Sequence, residues 1–217
     1  LVNRKITAKI AEIFLDKFFE ILVAPSFDKS SIKKLKNKEK LILINSNGII
    51  KKEKKMTRSI RGGYLIQDLD VKSVTKKIFK IISKNKKLTK TEYDDVLFAF
   101  KVVKHLKSNA IVLVKNKQSI GIGAGQMNRF DATKIAINKY KENFKLKNFI
   151  CASDAFFPFT DSLQTLYKNG CNCIVQPYGS IKDKEIIDFV DQNNIKLLFS
   201  KKRVFKHWWN KNQNTLL

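Results

Sequence analysis

Histidine is almost missing from this sequence: His105 and His207 are the two in 217 residues. His105 lies in a helical pattern beside lysines and His207 among basic and aromatic residues near the C-terminus, so neither has metal-ligand company. Cysteine is scarce as well. Cys151, Cys171 and Cys173 form an odd set, and the C-x-C pair has no second pair to complete a zinc site. Reduced, structural thiols and no metal are expected. The zinc-deaminase signature, the nucleophile elbow and the P-loop are all absent. No apolar run approaches the roughly 20 residues of a membrane helix; "IVLV" at 111 to 114 is typical of what is present. With a basic N-terminus that lacks a signal-peptide pattern, a soluble, cytoplasmic chain without a membrane partner is expected. Acidic residues are few, 19 against 44 Lys and Arg, a net charge of +25. Such a balance attracts phosphates. Lys, Asn, Ile and Phe are abundant together, however, and all have A/T-rich codons, so base composition accounts for the charge without a nucleic-acid partner.

What is present is globular. Apolar residues make up 43% and aromatics 11%, and their spacing alternates between helical and strand periods, the rhythm of an α/β protein. "TAKIAEIFLDKF" places Ile10, Ile13, Phe14 and Phe18 on one helical face, and "FEILVAP" follows as a short strand. Asp28 caps a second helix carrying Ile32 and Leu35, before the strand "LILIN". Residues 46 to 61 lack a sustained period and read as a basic connector. A second unit opens at "GGYLIQD", followed by helices around 71 to 83 and 91 to 106. "NAIVLVKNKQSIGIGAG" reads as two strands joined at Asn116 and Lys117. A helix bearing Ala132, Ile135, Ala136 and Tyr140 comes next, then one capped by Asp161 and stopped at Gly170. Strand "CNCIVQP", a helix over about 183 to 193 and strand "IKLLF" complete the pattern.

Three stretches carry chemistry. Gly121, Gly123 and Gly125 are spaced by two, which is not the dinucleotide fingerprint. They permit positive φ or close ligand approach, and deliver Gln126, Asn128 and Arg129 to a helix N-terminus where an anion is favoured. Arg129 can clamp a phosphate bidentately there, or lie solvated beside a tight turn. Asn109, where an apolar strand starts, can aim its amide at developing oxyanion charge. "CASDAFFPFTD", residues 151 to 161, puts three phenylalanines around Pro158 between two aspartates, suiting either a flat heteroaromatic site or core packing.

At these residues a family becomes recognisable. "KSNAIVLVKNKQSIGIGAGQMNRFDATKIA", "ASDAFFPFTDS", "IVQPYGS" and "KKRVFKH", with "FFEILVAPSFD" and "RGGYLIQDLD" earlier in the chain, resemble the formyltransferase region of the bifunctional AICAR formyltransferase/IMP cyclohydrolase of purine biosynthesis. The resemblance implies cytidine-deaminase-like units with mixed sheets and no catalytic zinc. It also implies a homodimer, and transfer of a formyl group from 10-formyltetrahydrofolate, as co-substrate, to AICAR. It divides the chain into the end of a first transferase unit (1 to 45), the connector (46 to 61), a second unit (62 to 207) and a tail (208 to 217). By the same likeness Asn109 stands near the reacting formyl oxygen, and Glu20, Arg129, Phe156, Asp161, Arg203, Phe205 and His207 stand at substrate contacts. Asp154 has no such role and reads as a turn residue. The Lys-His pair that the resemblance assigns to catalysis is not Lys104–His105, which belong to another block, and the cyclohydrolase domain has no counterpart here. The sequence therefore reads as a fragment without turnover of its own. An alternative from another class is a non-catalytic basic RNA-binding module.

Overall fold

The computed structural model describes residues 1–47, 55–70, 73–84, 87–144 and 146–204. They form two compact units, Leu1–Val71 and Lys72–Leu217.

In the first unit, helix α1 (Ala8–Leu15), strand β1 (Ile21–Ala24), helix α2 (Lys29–Leu35) and strand β2 (Ile42–Asn45) alternate, and the two strands pair in parallel. Ile6, Ala11, Leu22, Ala24 and Leu35 form the core, with Ile10 and Phe14 packed on it. The Asp28 carboxylate caps α2 by accepting from Ser31 N at 2.6 Å. The apolar stripe is narrower than its spacing suggests. Helix α1 ends at Leu15, so Phe18 lies beyond it and is exposed, as are Ile13 and Ile32. Within the stretch read as a connector, Lys55–Ile60 is strand β3, which forms an antiparallel hairpin with β4 (Gly63–Asp68) through Gly62 at φ 85°. The "GGYLIQD" strand, assigned from the sequence to the second unit, thus belongs to this hairpin in the first.

The second unit is built on a six-stranded mixed sheet of β5 (Phe79–Ile81), β6 (Ile111–Lys115), β7 (Gln118–Gly123), β8 (Phe149–Ser153), β9 (Cys171–Pro177) and β10 (Lys196–Ser200), in the order β5-β10-β9-β8-β6-β7. Strands β8, β9 and β10 run parallel. Both faces are covered. Val96, Phe100 and Val103 of α3 (Lys90–Val103) pack against Val112, Val114, Ile150, Ala152 and Val175. On the other face α4 (Arg129–Asn143), α5 (Asp161–Lys168) and α6 (Asp183–Gln192) bury Ile111, Leu113, Cys151, Ile174 and Leu197. Adjacent strand residues thus enter opposite cores, which is why these strands read as nearly continuous apolar runs. The three cysteines are free and buried in β8 and β9.

A helix expected around 71 to 83 is replaced, in its described part, by one 3-10 turn, Lys76–Ile78, and strand β5. Phe79 and Ile81 are partly buried while Lys80 between them is exposed, a period of two that suits the edge beside β10. At the β6–β7 turn, Asn116 and Lys117 adopt φ of 52° and 57°, the geometry of a type I′ hairpin.

Candidate functional site

Parallel strands in an open α/β sheet leave a crevice at their carboxyl ends, where the connections to the following helices diverge. Two such connections line a cleft of ≈ 400 Å³ here: Phe156, Pro158 and Phe159 after β8, and residues 179 to 182 after β9. Its surroundings are apolar and open to solvent. Phe159 is 60% exposed and Ile181 100%. The Arg203 guanidinium sits 5.6 Å from the centre of the Phe156 ring, within cation–π range.

Polar side chains beneath the cleft hold these loops in shape. Arg129, the first residue of α4, is buried, and its guanidinium donates from Nε to Ser153 Oγ at 2.9 Å, from Nη1 to Phe156 O at 3.0 Å and from Nη2 to Asp154 Oδ1 at 2.7 Å. Ser153 Oγ donates onward to Ala155 O at 2.7 Å. Phe157 N donates to Gln176 Oε1 at 3.1 Å, and the Phe157 ring is fully buried in the core while Phe156 lines the cleft. The second loop is held by Asp183, whose Oδ2 accepts from Gly179 N at 2.8 Å and Ser180 N at 3.2 Å. Gly179 needs its glycine for φ 109°.

Several residues read from the sequence have local hydrogen-bond partners in the structure. Arg129 was read as a phosphate clamp or a solvated residue beside a tight turn; its fork is applied here to Asp154, to Ser153 at the end of β8 and to the Phe156 carbonyl. Asp154 is not a simple turn residue but a fully buried partner of that fork. Asn109, expected to aim its amide at an oxyanion, donates from Nδ2 to the carbonyls of Gln126 at 3.0 Å and Met127 at 3.2 Å. That pair of bonds pins the glycine-rich turn to the start of β6. Asp161 is the first residue of α5 rather than its N-cap, which is Thr160, and accepts from Ser162 N at 2.6 Å. Gly121 and Gly123 serve helix packing, not ligand approach: an added Cβ would stand 2.2 Å from Ala136 O and 1.9 Å from Ala132 O.

Arg129, Phe156 and Arg203 are brought together, with Asp161 at the start of the helix that follows the Phe156 loop. Glu20 lies in the first unit, exposed just before β1, where its carbonyl accepts from Ile42 N at 2.9 Å. Phe205 and His207 fall outside the described residues. Sequence reasoning missed Gln176, Asp154 and Asp183. The one available signal was a glutamine ending the otherwise apolar strand "CIVQP". Among the described residues no three of His, Cys, Asp and Glu gather as a metal site needs, and no helix is long and apolar enough to cross a membrane.

A mixed α/β unit with an aromatic cleft over its parallel strand ends is the class these features define. Residues 1–139 match the AICARFT/IMPCHase bienzyme family, and the chain belongs to that family. It is similar to the bifunctional purine biosynthesis protein PurH of Aquifex aeolicus (strain VF5), 40% identical over 206 residues, covering 94% of this chain and 40% of the relative. The protein of the same name from Wigglesworthia glossinidia brevipalpis is 41% identical over 207 residues, with 94% and 39% covered. That from Buchnera aphidicola subsp. Schizaphis graminum is 42% identical over 199 residues, with 90% and 38% covered. The chain spans about two fifths of the length of the curated relatives it matches.

Proposed function

We propose that this chain is part of an AICAR formyltransferase of purine biosynthesis, and that its cleft receives the flat ring system of a folate co-substrate carrying the formyl group. Family membership supplies the reaction, and the observation that carries the site is the open cleft walled by Phe156, Pro158 and Phe159. Aromatic walls bind flat heteroaromatic rings by stacking and by removing apolar surface from water. Arg203 over Phe156 adds a cation beside that wall. In this reading the units are cytidine-deaminase-like, and the active assembly is a homodimer in the cytoplasm. Glu20, Phe205 and His207 contribute to AICAR binding there, together with Asp161.

Formyl transfer needs the acceptor amine held against the formyl carbon while charge builds on its oxygen. Asn109 and Arg129 act in this by shaping the two loops that border the reacting groups. Asn109 fixes the Gln126–Met127 carbonyls and Arg129 fixes the Phe156 loop.

Titration calorimetry of the 217-residue chain with folic acid, at two salt concentrations, tests the cleft. Saturable binding is expected that weakens about tenfold in Phe156→Ala, the scale of one aromatic stacking contact. The net charge of +25 favours one other reading, a basic RNA-binding module. Binding of an RNA oligonucleotide that falls steeply with salt, with no folic acid binding at either salt, would establish that reading instead.

A further inference from the structure

We infer that Gln176 is a positioning residue for the cleft: together with Arg129 it grips the two ends of one peptide bond, Phe156–Phe157, and so holds the Phe156 ring in the cleft wall. The inference rests on the reading of that cleft as a heteroaromatic site. Arg129 Nη1 donates to the carbonyl of this peptide at 3.0 Å, and Gln176 Oε1 accepts from its N–H at 3.1 Å. The two gripping side chains approach from different elements, the start of α4 and the end of β9. A peptide plane held at both its oxygen and its nitrogen cannot rotate without breaking both bonds.

That plane separates two rings with opposite fates. Phe157 is fully buried in the core beneath α4, α5 and α6, whereas Phe156 turns outward to line the cleft. Losing either bond frees the stretch of backbone from which both rings project. Gln176 itself is fully buried, near the end of a strand whose neighbours Ile174 and Val175 are apolar, and its Nε2 has no hydrogen-bond partner among the described residues. A buried amide with one end unsatisfied is costly compared with an apolar side chain of the same size. What the glutamine provides in return is the acceptor for Phe157 N, which is otherwise a buried, unpaired donor.

The test uses Gln176→Met, which keeps the size and removes the oxygen acceptor, and Gln176→Glu, which keeps an oxygen there. In the whole chain, amide hydrogen exchange followed by NMR is expected to show the Phe157 N–H of Gln176→Met exchanging about tenfold faster or more, with the β8 and β9 amides near their original rates. Folic acid affinity is expected to fall about tenfold in Gln176→Met, as for loss of one buried hydrogen bond. Because Gln176 acts through Phe156, the loss should disappear in a Phe156→Ala background. Gln176→Glu should recover Phe157 protection at least in part. An equal loss of affinity in both backgrounds would overturn the inference, as would unchanged Phe157 exchange in Gln176→Met. If that variant does not fold, Phe157 exchange no slower than that of exposed loop amides in the unsubstituted chain would overturn it as well. Absence of folic acid binding by the unsubstituted chain would sink the ligand reading alone, since the exchange measurement does not depend on it.

Discussion

Arg129 and Asp154 form a buried ion pair, Nη2 to Oδ1 at 2.7 Å, with side chains 8% and 0% exposed. Breaking such a pair leaves one charge buried without its partner, which costs about 3–5 kcal/mol. Asp154→Ala is expected to lose stability on that scale in urea unfolding. Arg129→Met/Asp154→Leu should lose clearly less than the two single changes added together, because neither charge is then stranded. Additive losses would show that the pair is not coupled.

The β6–β7 turn depends on α3. Asp95, buried on α3, accepts from Asn116 N at 3.0 Å and Lys117 N at 2.6 Å. Asp95→Ala removes both acceptors, and a destabilisation of about 1–3 kcal/mol is expected in urea unfolding. Lys117→Gly, at a position with φ 57°, should be neutral or slightly stabilising, since glycine tolerates that conformation.

Glycine substitutions should rank by what the new Cβ meets. Gly123→Ala and Gly121→Ala drive a methyl into the backbone carbonyls of α4, and each is expected to cost about 3 kcal/mol or more in thermal or urea unfolding. Gly125→Ala meets nothing within 4 Å and carries only the strain of φ 68°, about 1–2 kcal/mol. The reverse ranking would mean that α4 sits further from β7 than described.

Burial pushes all three thiols up, Cys171 to about 12 and Cys151 and Cys173 well above their usual range. The thiolate is the reactive form, so iodoacetamide at pH 8 should label none of them in the folded chain and all three in denaturant. The folded state keeps protons that the unfolded chain releases near an ordinary thiol pKa of about 8.5. Unfolding therefore releases protons in that range. The thiols' share of stability is present below about pH 8.5 and falls as pH rises toward about 12. Rapid native labelling would contradict the buried placement.

How much of this was legible in the residues differs from place to place. Periodicity located α3, α4, α6 and the strands β6, β7, β9 and β10, because helices and strands buried on one or two faces must repeat at 3.6 or 2, whereas β8, Phe149–Ser153, was not anticipated. Asp28 announced its helix start through local chemistry, a carboxylate three residues before the N–H it receives. Six ordered blocks were enough to mark the family. Residues 71 to 83 misled because alternating Lys with Ile and Phe satisfies a short edge strand as well as a helix, and pairing with β10 decides between them. Polar site residues were legible only in part for a related reason. The sequence alone determined that Asn109, Arg129 and Asp161 could hydrogen-bond, but not with what. Only the tertiary structure, by bringing α4, β8 and β9 together at one end of the sheet, set Arg129 against Asp154 and Gln176 against Phe157 N. Those partners lie 25 and 19 residues apart in the chain, and buried donors and acceptors must pair with whatever the fold places within reach.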